Sequence, residues 1–318
     1  MENKSICYEQ KLDLLETQKA IKYIKDNFEK KLAANLNLTR VSAPIFVLKE
    51  SGLNDDLNGV EEPVSFSING IGENIEIVQS LAKWKRNALK QYGFKLHEGL
   101  YTDMNAIRKD EHVDSIHSIY VDQRDYEIII SKEERKLKTL FSFVNKVYKT
   151  LKAVEKLVCK KYPIYEEKLP NKLTFISSKK LLKEYPNLSS KDREYEASKK
   201  YGAIFVYGIG WPLKNKLPHD GRASDYDDWK LNGDLIVYFD VLDIPFEVSS
   251  MGIRVDENSY LEQTAFKKEE YKRNSPYGKS IVKTELPYTI GGGIGQSRIC
   301  QFLLKKAHIG EVQSSLWT

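Results

Sequence analysis

A run of twelve residues, Pro287-Tyr-Thr-Ile-Gly-Gly-Gly-Ile-Gly-Gln-Ser-Arg298, leads straight into the apolar stretch Ile299 to Leu304. Glycines so close together leave the backbone bare, and a flat ligand can then lie against it. The residues after them predict a helix over about 294–306 that presents Arg298 after its first turn. A guanidinium in that position is a fixed cationic fork for phosphate. Glycines ahead of a helix also serve as packing or turn devices, so the run alone leaves both readings open. A second arginine segment upstream, with an acidic pair between the two, favours the first.

The surrounding pattern defines the fold. Residues from about 8 to 36 place Leu14, Ile21, Ile24, Phe28 and Leu32 at helical spacing. An extended piece, 41–48, follows with Pro44 suited to a strand start or edge. Next comes a hairpin, 64–68 and 75–78, around Asn69-Gly70. Ser80 is placed to cap a helix beginning at Leu81 and carrying Lys83, Lys85 and Arg86. Strands are expected at 99–108, 117–130, 173–177, 203–209, 234–239 and 246–255. Further helices are expected at 132–161 and 257–271. The charged stretch 211–230 reads as a long connection, of a length that is usually functional or disordered. Hairpin-linked strands between long helices predict an α+β fold, a mainly antiparallel sheet flanked by helices, in a single domain over residues 1–318.

Composition removes several classes of function. No apolar run approaches the ~18–20 residues that span a bilayer, and the first residues lack the apolar core of a secretory leader. Cys7, Cys159 and Cys300 have no paired spacing, which argues against a disulfide framework or thiolate zinc site and fits a reducing cytoplasm. The net charge of +5 is spread along helices and forms no basic patch interleaved with aromatics, so no nucleic-acid partner is expected. His97, His112, His117, His219 and His308 show no ligand spacing. The phosphate loops G-x-x-x-x-G-K-[ST] and G-x-G-x-x-G are missing, as is a G-x-S-x-G elbow.

Four segments carry chemistry. Arg108 ends a strand before an acidic turn and can grip an α-phosphate bidentately, while Gln123 on the return strand shares a face with Asp125 and Glu127. A solvated hairpin edge with alternating charges would read the same way. Asp234 and Glu247 on adjacent strands can share a magnesium ion, with Ser250 adding an oxygen, and a bend near 249–252 would aim Arg254 at a carboxylate. Lys85, one turn into its helix, can reach an anionic substrate, although most helical lysines are merely solvated. In Gly52-Leu-Asn-Asp55-Asp56-Leu-Asn-Gly59 an acid could meet an ammonium group, or the loop could be no more than a turn. The cluster Asp225-Tyr-Asp227-Asp228-Trp229, after His219-Asp-Gly-Arg222, fits a cation site, a lid or a solvated turn.

In their order these segments resemble the catalytic core of class II aminoacyl-tRNA synthetases, with Pro44, Arg108 and Gly293–Arg298 at its three motifs. From Tyr8 to Trp317 the chain is more specifically similar to the ammonia-dependent asparagine synthetase (aspartate–ammonia ligase) family. The strings that carry this are Ser80-Leu-Ala-Lys-Trp-Lys-Arg86, Glu98-Gly-Leu-Tyr-Thr102, Tyr120-Val-Asp-Gln123, Asp225-Tyr-Asp-Asp-Trp229, Leu231-Asn-Gly-Asp234, Ser249-Ser-Met-Gly-Ile-Arg-Val255 and Ile290–Arg298. The chain departs from the family in its short tail after Trp317 and in Lys230, where the family can carry an insert.

The resemblance implies a cytoplasmic homodimer that uses ATP and Mg2+ to turn L-aspartate and ammonia into asparagine through β-aspartyl-AMP. It implies Arg108 on the α-phosphate, Arg298 at the γ-phosphate and adenine, and Asp234, Glu247 and Ser250 on the metal. Ser80, Lys85, Gln123 and Arg254 would hold aspartate, and Asp55 or Asp227 the amine or incoming ammonia. Asp55, Arg108 and Gln123 form the expected catalytic set. Two rival readings are a tRNA-charging aspartyl or asparaginyl enzyme and a catalytically inactive regulatory paralogue. The first would need an anticodon-binding module of ~100 residues, for which the chain leaves no room. The second should have lost the charged residues first. With Glu2 after Met1 and Cys7 in a polar context, no glutaminase module is expected.

Overall fold

The computed structural model describes residues 8–57, 61–70 and 72–317. Cys7 and the end of the 52–59 loop therefore lie outside the described residues. The chain opens with α1 (Leu14–Leu36), β1 (Leu38–Arg40) and β2 (Phe46–Leu48). A hairpin of β3 (Ser65–Ile68) and β4 (Gly72–Ile77), then α2 (Ala82–Gln91), β5 (Gly99–Ile107) and β6 (Tyr120–Ile129) follow. The middle holds α3 (Leu137–Lys161), β7 (Thr174–Ser177), α4 (Ser178–Glu184), α5 (Ser190–Tyr201) and β8 (Ala203–Tyr207). Last come β9 (Asp227–Phe239), β10 (Ile244–Arg254), α6 (Glu257–Phe266), α7 (Pro276–Val282), β11 (Thr289–Gly295) and α8 (Gln296–Leu303).

Among the described residues eight strands form one sheet in the order β1-β5-β6-β11-β10-β9-β8-β7, and β2-β4-β3 form a smaller one. The five inner pairings of the large sheet are antiparallel, whereas β1 pairs with β5 and β7 with β8 in parallel. The expected antiparallel sheet is thus mixed at both edges. Parallel neighbours need a crossover. The small sheet with α2 supplies one between β1 and β5, and α4 with α5 the other between β7 and β8.

One face of the sheet is covered by α1, α3 and α8, whose apolar stripes bury Ile24, Leu32, Val144, Leu151 and Phe302 against Tyr126, Val237, Phe246 and Ile294. Leu14 does not join this stripe. It is the first residue of α1, after the Asp13 cap, and stays 74% exposed. Helices α4 and α5 have no counterpart in the sequence reading, although Ser177 and Ser189 cap them. The expected helix over 257–271 stops at Phe266 as α6, a 3-10 turn follows at Glu270–Asn274, and α7 is a further helix beyond it. On the opposite face α4 and α5 pack over β7, β8 and β9, and α2 packs over β5 and β6, which leaves the stretch between them free for a site.

Candidate active site

The glycine run leads directly into α8, which begins at Gln296, and is itself a central strand: β11 lies between β6 and β10. Its alternate residues Ile290 and Ile294 enter the core, which turns Gly291, Gly293 and Gly295 towards the free face. A Cβ at Gly291 would overlap the Glu127 carboxylate, and one at Gly293 would overlap Gln123 Oε1. The glycines therefore clear the floor of a cleft for the side chains of β6. Gly293→Ala should push the Gln123 amide aside with little effect on folding, because the clashing atom ends a flexible side chain. The expected outcome is about 10²-fold lower kcat/KM for aspartate with an unchanged melting curve. Unaltered kinetics would show that Gln123 need not stand where the glycine leaves room.

On β10 a bulge between Glu247 and Ser249 shifts the register. Core residues fall at 246 and 248 before it and at 251 and 253 after it. The change of phase brings Glu247, Ser250 and Arg254 to one face, where strict alternation would have split them. Arg298 stands in the first turn of α8, not after it, and its Nη1 donates to the Glu247 carbonyl at 3.1 Å.

These elements enclose a cleft of about 330 Å³ lined by Asp55, Ser80, Lys85, Arg108, Gln123, Asp227, Glu247, Ser250, Arg254 and Arg298. Of the residues expected to form the site, only Asp234 is not in the lining. It lies directly across from Ser250, beneath Arg222. Ser80 is not the side-chain cap of α2 in the expected sense. Its hydroxyl accepts from the Ala82 N–H at 3.1 Å, and Leu81 is the cap residue.

The cationic wall is built from buried pairs. Arg254 donates to Glu127 at 2.7 and 2.9 Å and to Asp227 Oδ1 at 2.5 Å. Lys85 Nζ sits 2.9 Å from Asp125 and donates to the Gly292 carbonyl at 3.0 Å. Burial pushes the Asp227 carboxyl up, against the pull of Arg254 and Arg222. Arg108, at the end of β5, donates through Nη2 to the Gln79 carbonyl at 3.2 Å, while its Nε is buried without a partner. A guanidinium held by one edge with a free N–H is ready for an anion.

Asp55 also lines the cleft, and its backbone carbonyl accepts from Gln79 Nε2 at 3.0 Å. Burial pushes its carboxyl up to about 7, opposed by Lys83 and reinforced by Asp225 and Asp56. Asp55, Asp56 and Asp225 stand close enough together for three carboxylates to share a cation, but Lys83 already lies 2.7 Å from Asp225 and Lys272 2.7 Å from Asp56. The long connection expected over 211–230 ends early because β9 begins at Asp227, and it delivers Arg222 into the cleft. Arg222, Glu127, Asp125 and Asp225 were not assigned as site residues from sequence. The shared β6 face was the available signal for Asp125 and Glu127.

A divalent cation fits the acidic pair. Asp234 Oδ1 is buried and has no partner, and burial together with Glu247 raises the Asp234 carboxyl despite Arg222. An unsatisfied carboxylate oxygen beside a second acid is what a hard cation requires. Burial tends to raise Glu247 as well, but Arg298, Arg222 and Lys191 outweigh it and hold the carboxyl below its usual range.

The architecture is shared with aminoacyl-tRNA synthetases of class II. Asparaginyl-tRNA synthetase from Entamoeba histolytica, in complex with asparaginyl-adenylate, superposes with a TM-score of 0.65 at 15% identity, over 94% of this chain and 66% of that one. The Pyrococcus horikoshii enzyme, complexed with asparaginyl-adenylate, gives 0.65 at 14% identity, over 95% and 70%. This chain spans about two thirds of those proteins, and the likeness defines the fold as class II synthetase-like. The profile of the aspartate–ammonia ligase family matches residues 15–318. Aspartate–ammonia ligase of Clostridium perfringens strain SM101 is 58% identical over 311 residues, covering 98% of this chain and 93% of that protein. The Fusobacterium nucleatum enzyme of the same name is 55% identical over 313 residues, covering 98% and 95%. The chain belongs to the aspartate–ammonia ligase family.

Proposed function

We propose that this protein makes L-asparagine from L-aspartate and ammonia at the expense of ATP, by way of β-aspartyl-AMP. The observation that carries the reading is a cleft in which one arginine offers an unpaired N–H, a second stands at a helix start, and Lys85 with Arg254 form a cationic wall. In the first step a β-carboxylate oxygen of aspartate attacks the α-phosphorus in line, and the bond to pyrophosphate breaks. Arg108 meets the charge that grows on the α-phosphate oxygens. Arg298 holds the triphosphate end and the adenine. Lys85, Gln123 and Arg254, with Ser80, orient the aspartate.

Magnesium, held by Asp234 and Glu247 with help from Ser250, would neutralise phosphate charge. In the second step the lone pair of ammonia attacks the β-acyl carbon, and AMP leaves. Ammonium must first give up a proton, and the Asp55 carboxyl, lifted to about 7, can receive it near neutral pH. Asp227 lies on the same wall but is already engaged by Arg254, which favours Asp55 for this role.

A tRNA-charging or inactive paralogue is not favoured, because relatives matched over 93% and 95% of their length are aspartate–ammonia ligases. We read residues 1–318 as one catalytic domain without a nucleic-acid partner. A homodimer is supported by exposed Ile45, Phe46, Leu48 and Phe66, an apolar group on the small sheet that a second copy would cover. Among the described residues no helix is long and apolar enough to cross a membrane, and the free thiols Cys159 and Cys300 accord with the cytoplasm.

The test is to incubate the protein with aspartate, MgATP and either ammonium or glutamine. Asparagine and AMP should form together, with ammonium far the better donor. Equal rates with both donors, or asparagine without AMP, would contradict the reading.

A further inference from the structure

The connection between β8 and β9 is tied down before it reaches the cleft. The N–H groups of His219 and Asp220 both donate to the Ile209 carbonyl at 3.1 Å. The buried His219 ring lies 2.9 Å from Glu194 on α5 through Nε2, and Trp211 packs edge-on against Trp229. A segment held in this way places its next cation deliberately. That cation is Arg222, which donates from Nη1 to Ser250 Oγ at 3.0 Å, pairs through Nη2 with Asp234, and stands 3.1 Å from Asp220.

We propose that Arg222 is a resident counter-cation of the metal site. In the nucleotide-free protein its guanidinium holds Asp234 and Ser250, and a divalent ion enters only with the phosphates that draw the arginine away. This rests on the reading of Asp234 and Glu247 as metal ligands. The sharing is incomplete, because Asp234 Oδ1 and Arg222 Nε are both buried without partners. The carboxylate therefore retains capacity for a cation, and the guanidinium retains a donor for an anion.

A doubly charged ion bound to Asp234 would lie within a few ångströms of a guanidinium on the same carboxylate, and the two would repel strongly in this buried setting. One must leave. A triphosphate reverses the balance, since its oxygens ligate the ion and also offer the guanidinium charge-assisted hydrogen bonds. Metal and nucleotide then bind as one unit, and bare divalent ions are kept out of an empty site.

The experiment measures Mn2+ binding by calorimetry, with and without ATP and with no aspartate, so that no turnover occurs. Without ATP, Arg222→Met should bind Mn2+ at least about tenfold more tightly than the native protein, because the competing charge is gone. With ATP present the two should differ much less. An Arg222→Met protein that binds bare Mn2+ no better than the native one overturns the proposal. Arg222→Lys, which keeps the charge but loses the fork, should show a smaller gain and serves if the methionine variant fails to fold. In that case, no gain with lysine is the overturning result. Asp234→Asn, measured with ATP, separates the two readings. If it weakens Mn2+ binding while Arg222→Met brings no gain, only the counter-cation role fails. If it leaves binding intact, the metal site itself is misassigned.

Discussion

Replacing Arg254 with methionine should both inactivate the protein and lower its stability by about 3–5 kcal/mol, the usual cost of stripping one partner from a buried charge pair. The magnitude follows from what is left behind. Glu127 is fully buried and Asp227 nearly so, and Arg254 supplies all three charged hydrogen bonds that Glu127 accepts together with the one at Asp227. Lys85 is too far to take over, at 3.9 Å from Glu127 and already engaged with Asp125. The two abandoned carboxyls would have to take up protons or admit water. Denaturant unfolding of the variant should therefore show an earlier midpoint, and the loss should shrink as the pH falls and those acids are neutralised. An unchanged midpoint would mean that the pair has no net weight in the fold. Activity tests the second half: with the wall cation gone, an aspartate carboxylate has only Lys85 to bind, and turnover should fall below detection even where the protein remains folded.

The same residues show where sequence reasoning succeeds and where it stops. Periodicity gave the long helices and most strands because each buries one face, and the spacing of apolar residues reports that directly. It also put Gln123, Asp125 and Glu127 on one side of β6, which the structure bears out. What it could not give was phase across the β10 bulge, since an extra residue leaves no mark in composition, and that bulge is what aligns Glu247 with Ser250 and Arg254. Partners were equally hidden. Arg222 is fifteen residues of loop beyond Tyr207 in β8, and only folding brings it onto Asp234. Lys85 could have been a merely solvated helical lysine, yet it is buried, and so are Lys83 and Arg86 beside it. Lys83 pairs with Asp225, and Arg86 donates to the Pro287 and Val255 carbonyls. The glycine run reads as backbone left bare for a flat ligand, whereas in the structure it is a strand whose missing side chains make room for the Glu127 carboxylate and the Gln123 amide of the neighbouring strand.

Arg108→Ala should lower turnover by about 10²–10³-fold, equivalent to roughly 3–4 kcal/mol for one preorganised donor, and should leave stability almost untouched. The contrast with Arg254 is the point of the experiment. The Arg108 side chain donates one hydrogen bond, to the Gln79 carbonyl, and stands 3.9 Å from Glu111 in a partly exposed pair of little energetic weight. Its removal strands no buried acid. The loss should therefore appear in kcat for pyrophosphate release, with a much smaller change in KM for ATP, because the α-phosphate gains charge only on the way to the transition state. Arg108→Lys restores the charge without the planar fork and should recover part of the rate but not all of it. Near-normal release from the alanine variant would remove Arg108 from the chemical step. A rise in KM with kcat preserved would make it a binding residue instead, and the burden of stabilising the α-phosphate would then fall on the magnesium and Arg298.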